Sequence, residues 1–544
     1  MPSAPSSPAP TPPDSSEPLT IDGHHLDFDA VVAVARGGRS VRLADDARAR
    51  MERSYAWVAQ AGTGDRPVYG VNTGFGSLAR VRIPPAQRAT LSLNLVRSHA
   101  AGVGDPVPVP TVRAMMLLRA NALAKGASGC RPLLVDTICA MLDAGVTPVV
   151  PERGSCGSSG DLAPLAHLGL VMAEGDHGEA WLDGERLPAG EAMARAGIPR
   201  LRLEAKDGLA ITNGAQLTTA IAALCCHDAA VLVLAAELAA AMSIDALRGA
   251  SRAFHPAVHA LRPYRGARDC AANLRRLLAG SRLVDSVPDK VQDAYSLRCT
   301  PPVLGAVRDQ VAFVRQQVAV ELNAATDNPL ILLPEAMPPD EDDALPLLDP
   351  DNRAFSAGLF HGEPVGMAMD GLKLALTELA SISERRLYRL TTGSLSQRLP
   401  PALIGQDRPD LGMMLPQTTA AALVSECKAL AWPATADSIP TCEDQEDHVA
   451  MSTTAARRCA RVLEAARRVV AIELLGAAQA LRFRQQEEGV DCVGVGTGAG
   501  LAWVDELLGG LDPARPPGEL VETLVRGIAA GSFRPRLPAL LEVP

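Results

Sequence analysis

Residues 207–252 run almost unbroken through Ala, Leu and Val, with polar side chains too sparse for a solvated surface. Such a stretch reads as a helix buried on every face by other helices. Three further long helical patterns, at about 306–325, 365–390 and 452–484, supply the partners. In the last, Arg457, Arg458, Arg461, Arg467 and Arg468 would line an outer face. A hydrophobic content of 47% with only 3% aromatic residues favours packed helices over sheet. The expected fold is therefore mainly α, a long central helix bundle over 207–484. A small mixed N-terminal region, 19–206, precedes it, with helices at 91–104 and 112–125. A helical C-terminal region, 485–544, follows. Residues 1–18, rich in Pro and Ser, read as a disordered tail. Residues 334–351, with Asp340, Glu341, Asp342 and Asp343, read as a solvated acidic loop. The Gly-x-Gly alternation at 494–500 does not fit a dinucleotide fingerprint and reads as a turn.

The charge balance, 52 basic against 62 acidic residues, leaves −10 and no long basic stripe, which argues against nucleic acid as a partner. Eleven cysteines are scattered without Cys-x-x-Cys pairs, as in a reducing, cytoplasmic setting. The chain opens without a basic-plus-apolar leader, and its most apolar run, 229–236, lies between Asp228 and Glu237 and is too short for a bilayer. No membrane association is expected. His255 and His259 have the spacing of zinc ligands, but no Glu follows His255 and no third ligand is evident, so no metal is expected. His227, on an apolar helix, reads as a core histidine.

The segment most charged with chemistry is Gly154-Ser155-Cys156-Gly157-Ser158-Ser159-Gly160-Asp161-Leu162-Ala163-Pro164. A Ser/Gly run is ordinarily a loop or an anion-binding helix start. Here, however, a Ser hydroxyl that can be eliminated is followed by a Gly whose amide can approach a preceding carbonyl with no Cβ in the way. A second segment, Tyr69-Gly70-Val71-Asn72-Thr73-Gly74-Phe75-Gly76, sets a phenol among three glycines, as a mobile catalytic loop would. A third, Gln292-Asp293-Ala294-Tyr295-Ser296-Leu297-Arg298-Cys299, brings a guanidinium suited to a carboxylate.

In their order along the chain, these segments resemble those of the histidine and phenylalanine ammonia-lyase family, enzymes built on a helix bundle of the ammonia-lyase/fumarase type. The resemblance spans residues 69 to 451. It implies that Ser158, Ser159 and Gly160 cyclise with loss of water to methylidene-imidazolone, an electrophile made from backbone, with no external cofactor. It implies Tyr69 as the base for the β-proton. A phenol with an ordinary pKa of about 10 needs a nearby cation or dipole for this task. Arg298 would pair the substrate carboxylate, helped by Gln292, and Tyr295 would hydrogen-bond near the amine. Asn328, in Asp327-Asn328-Pro329, would make a second carboxylate contact. Asn213 would support the carbonyl of the electrophile, and Phe360 would line the site. A homotetramer with each site assembled from more than one chain is implied, acting on a small-molecule amino acid.

The family acts on histidine, phenylalanine or tyrosine, by elimination or by 2,3-amino migration. Gln445-Glu446-Asp447-His448 resembles the histidine-lyase version, where a carboxylate on Glu446 can hold an imidazole N–H. His99, Met414 and Cys299 follow the same version, although His99 is shared with a tyrosine aminomutase pattern. The expected reaction is elimination of ammonia from L-histidine to trans-urocanate. Departures from the family pattern are Ser158 for Ala, Cys156 for Val, Pro302 for Gln, Leu359 for Asn, Trp432 for His and Asp444 for Asn. They keep two alternatives open: a lyase or aminomutase for a histidine-like or tyrosine-like amino acid, and a non-catalytic paralogue unable to cyclise.

Overall fold

The structure, a computed structural model, describes residues 17–74, 81–204, 206–334, 351–405, 412–510 and 515–544. The expected tail, except residues 17 and 18, and the expected acidic loop, except residues 334 and 351, lie outside the described residues. The fold is mainly α, with long helices, and separates into two compact units.

The first unit gathers Met1–Ala220, Ala319–Gly362 and Ser438–Ala450. Among the described residues it mixes helices with four small sheets, none of more than three strands. Phe28–Gly37 shows how its helices are delimited: Asp27 accepts from the Ala30 amide at 2.8 Å, and Gly38 closes the helix at φ +70°. The helix Val109–Ala124 is buried on nearly all sides and carries polar side chains that tie distant segments together. Asn121 accepts from the Gly23 amide at 2.9 Å and donates to the Leu322 carbonyl at 3.0 Å. Asn323 bonds both the amide and the carbonyl of Leu26, at 2.9 and 2.8 Å. Thus backbone groups just after the first strand are satisfied by residues 98 and 297 positions away in sequence.

The second unit gathers Ile221–Val318, Glu363–Asp437 and Met451–Pro544. It holds most of the 31-residue helix Gln216–Ala246, together with Glu363–Thr391, Met414–Leu430 and the 37-residue Ser452–Glu488. Glu363–Thr391 and Met414–Leu430 pack against Ser452–Glu488. Buried Glu473 joins three helices: it accepts from Ser243 at 2.7 Å, from Ser383 at 2.6 Å, and from Arg386 through Nε at 2.5 Å and Nη2 at 2.8 Å. The helix Gln216–Ala246 far exceeds the apolar run at 229–236 and is, by length and composition alone, able to cross a membrane. Its most apolar window is 83% buried inside the protein, as in a core helix.

Several element ends differ from the sequence expectation for identifiable reasons. The run 207–252 breaks at Asn213 and Gly214, so that a short helix Asp207–Thr212 precedes the long one. The helix expected over 306–325 starts earlier, as Thr300–Glu321, with Pro301 and Pro302 in its first turn, where amide donors are not needed. The helix expected over 91–104 is Arg88–His99, and Val103–Pro106 instead pairs with Pro151–Arg153 as a strand. The turn expected at 494–500 is instead the start of the helix Val495–Leu508. Its glycines serve close approach: a Cβ on Gly496 would meet Leu277 Cα at 2.6 Å, and one on Gly500 would meet Leu238 Cδ1 at 2.7 Å. His255, read for its metal-ligand spacing, accepts from the Ala257 amide at 3.2 Å, and His259 Nε2 lies 3.1 Å from the Ala253 carbonyl.

Candidate active site

In the first unit, the segment 154–161 forms a tight loop that leads into the helix Leu162–Met172. Gly154, Gly157 and Gly160 all take positive φ, of 136°, 71° and 71°. Asp161 organises the loop. Its carboxylate accepts from Ser155 Oγ at 2.8 Å, from the Thr218 amide at 2.8 Å and from Thr218 Oγ1 at 3.0 Å. Its amide donates to the Gly214 carbonyl at 2.6 Å, beside a parallel bridge between Gly160 and Gly214. The two glycines touch so closely that a Cβ on Gly160 would lie 2.4 Å from the Gly214 carbonyl carbon and oxygen.

The central residues of the loop have specific partners. Asn213 Nδ2 donates to the Ser159 carbonyl at 2.9 Å, while its buried Oδ1 has no hydrogen-bond partner among the described residues. Ser158, 7% exposed, donates from Oγ to Glu446 Oε2 at 2.6 Å. The same oxygen accepts from Thr441 Oγ1 at 2.7 Å. Thr441 and Glu446 also exchange backbone bonds at 3.0 and 3.3 Å, closing a turn in which Cys442, Glu443 and Asp444 all have positive φ. Cys156 is half-buried, and burial, reinforced by the Glu446 carboxylate, pushes its thiol up. Burial pushes the His99 imidazole below its ordinary value, against a weaker upward pull from the Leu95 backbone and Glu446.

Tyr69 is half-buried in a turn pinned by Asn72, whose side chain accepts from the Val68 amide and donates to the Arg66 carbonyl, both at 2.8 Å. Phe75 and Gly76, at the end of that motif, lie outside the described residues. Asn328 is held by its neighbour: Asp327 accepts from the Asn328 amide at 2.7 Å and pairs with buried Lys206 at 2.9 Å. The Asn328 side-chain oxygen accepts from the Ala357 amide at 2.9 Å, which leaves its amide nitrogen to donate elsewhere. Phe360 is half-buried, two residues before Gly362, whose amide donates to the Gly157 carbonyl of the triad loop at 2.9 Å.

The second unit carries Gln292, Tyr295, Arg298 and Met414. Arg298 stacks its guanidinium 4.9 Å from the centre of the exposed Tyr295 ring, and its buried Nε has no partner among the described residues. Asp293 steadies this segment by accepting from the Ala250 amide at 2.6 Å and pairing with Lys290 at 2.5 Å. Gln292 is exposed, and half-exposed Met414 opens its helix. Sequence reasoning missed Thr441, Gly214 and Thr218. Only the nearness of Thr441 to Glu446 in sequence could have pointed to one of them. Asp161, which directly precedes the helix Leu162–Met172, makes no side-chain cap and instead holds the loop together.

Residues 26–505 match the family model described as aromatic amino acid lyase. The chain belongs to the aromatic amino acid lyase family. The histidine ammonia-lyase of Koribacter versatilis is 48% identical over 468 residues, which cover 86% of this chain and 90% of that protein. The crystal structure of a histidine ammonia-lyase from Trypanosoma cruzi matches with a TM-score of 0.84 and 34% identity, covering 96% of each chain. A tyrosine aminomutase from Streptomyces globisporus matches with a TM-score of 0.86 and 31% identity, covering 97% of this chain and all of that one. This lyase therefore shares its fold with proteins named both as a lyase and as an aminomutase.

Proposed function

We propose that this aromatic amino acid lyase eliminates ammonia from L-histidine to give trans-urocanate, with an electrophile formed from Ser158, Ser159 and Gly160. The observation that carries the choice of substrate is the Glu446 carboxylate, hydrogen-bonded to Ser158 of the triad itself. An anionic acceptor there rewards an imidazole N–H and offers nothing to a phenyl ring. The identity to proteins named histidine ammonia-lyase supports the same choice.

The residues present fit methylidene-imidazolone. Gly160 has no Cβ in a space that would not admit one, and Asn213 donates to the carbonyl of Ser159. Ring closure uses the Ser158 carbonyl and the Gly160 amide, and the Ser159 hydroxyl is lost. The ring supplies an electrophilic methylene that activates the substrate, and no external cofactor is needed. Tyr69 takes the β-proton while the Cα–N bond breaks, the Cα–Cβ double bond forms and ammonia leaves. Arg298 and Asn328 hold the carboxylate, Gln292 assists, and Tyr295 bonds near the amine. His99, Phe360 and Met414 surround the ring that Glu446 holds. The enzyme works as a homotetramer, with each site assembled from more than one chain. The eleven free thiols, most of them buried, support a reducing, cytoplasmic setting.

Incubation with L-histidine, L-tyrosine and L-phenylalanine, with ammonia followed and products identified by mass, tests this reading. Urocanate from histidine alone, lost in Ser159→Ala, is the expected result. A β-amino acid product, or cinnamate or coumarate in place of urocanate, would contradict it.

A further inference from the structure

Ser158 stands at the one triad position whose side chain ring closure leaves untouched. Closure consumes its carbonyl oxygen as water, whereas its hydroxyl stays on Cβ, outside the ring. That hydroxyl is 7% exposed and donates at 2.6 Å to Glu446 Oε2, across 288 positions of sequence. Thr441 Oγ1 reaches the same oxygen at 2.7 Å, and the backbone bonds between Thr441 and Glu446 fix the carboxylate at the mouth of a tight turn. Two hydroxyl donors on one carboxylate oxygen occupy its lone pairs and set the rotation of the whole group. Oε1 is the oxygen that neither hydroxyl takes.

We propose that Ser158 is a positioning residue for substrate selectivity, its hydroxyl aiming Glu446 Oε1 at the imidazole N–H. The inference rests on the reading of Glu446 as the group that holds the imidazole. Because Ser158 acts through Glu446, its loss weakens the binding of histidine more than it slows the chemical step. A ring without an N–H gains nothing from the arrangement and loses nothing with it.

The test compares wild type with Ser158→Ala and Ser158→Thr, each first weighed intact. Both variants are expected to lack two waters, because closure needs only the backbone of residue 158. In Ser158→Ala, KM for L-histidine should rise about tenfold, the scale of one hydrogen bond to a charged group, while kcat falls less than about threefold. Ser158→Thr, which keeps a hydroxyl, should recover KM to within about threefold of wild type. The catalytic efficiency kcat/KM on L-histidine should fall about tenfold or more in the Ala variant alone. An unchanged or lowered KM in Ser158→Ala would overturn the inference, as would Thr performing no better than Ala. So would a Ser158→Ala protein that keeps both waters, since the hydroxyl would then belong to closure. Wild type that leaves L-histidine untouched would overturn the reading beneath the inference, and the inference with it. Wild type active on histidine beside an unaltered Ser158→Ala would sink the inference alone.

Discussion

At Gly160 a single methyl group separates a loop that closes from one that does not fit. A Cβ there would lie 2.4 Å from two backbone atoms of Gly214, and the residue holds φ at +71°. Backbone cannot swing aside as a flexible side chain can, so Gly160→Ala should cost about 2–4 kcal/mol. Its intact mass should show both waters retained, and its thermal midpoint should drop. Asn213→Ala removes the donor at the Ser159 carbonyl and should lower kcat by roughly tenfold to a hundredfold, the scale of one such donor lost from a developing charge. His99 gives a pH signature. Burial holds its folded value below the ordinary 6.5, so as pH falls through 6.5 the unfolded chain takes up the proton first. Stability is lost through that window and the loss levels off below the folded value. In His99→Gln, denaturation at pH 7.5 and 5.5 should show a smaller difference than in wild type. These residues were partly legible: the triad and Asn213 stand in recognisable segments. The hydroxyl pair on Glu446 was not, because no local pattern links residues so far apart in sequence.

At the scale of elements, the second unit turns on a buried charge. Glu473 takes hydrogen bonds from two other helices, and Arg386 beside it is wholly buried. Removing one partner leaves the other charged and unpaired, so Glu473→Ala should cost about 3–5 kcal/mol. The double variant Glu473→Leu with Arg386→Met should recover most of that loss, as urea denaturation of the set would show. If the single variant were as stable as wild type, the pair would not bind these helices together. The helices themselves were legible from apolar periodicity, and Ser452–Glu488 was read to within a turn of its end. Its last residues are polar, so periodicity fades before Gly489 ends the helix at φ +93°. The break at Asn213 and Gly214 was hidden by the apolar residues on either side. The break is held by contact from elsewhere: the Asp161 amide donates to the Gly214 carbonyl at 2.6 Å, beside the bridge between Gly160 and Gly214.

At the scale of the whole molecule, the class of fold followed from composition, since long Ala- and Leu-rich runs with few aromatics have few other ways to pack. The division into units did not follow. Each unit is assembled from three separate stretches of chain, and in the first they are joined by side chains such as Asn121 and Asn323 that look unremarkable in sequence. The homotetramer proposed above makes activity depend on concentration. Specific activity should fall on dilution in step with the loss of tetramer by light scattering or analytical ultracentrifugation, and full activity in a proven monomer would contradict it. Most direct for the account as a whole is the intact mass of the purified protein beside Ser159→Ala. The account predicts a wild type lighter than its sequence by two waters and a variant at its full sequence mass. A wild type that keeps both waters would contradict the claim that Ser158, Ser159 and Gly160 form the electrophile.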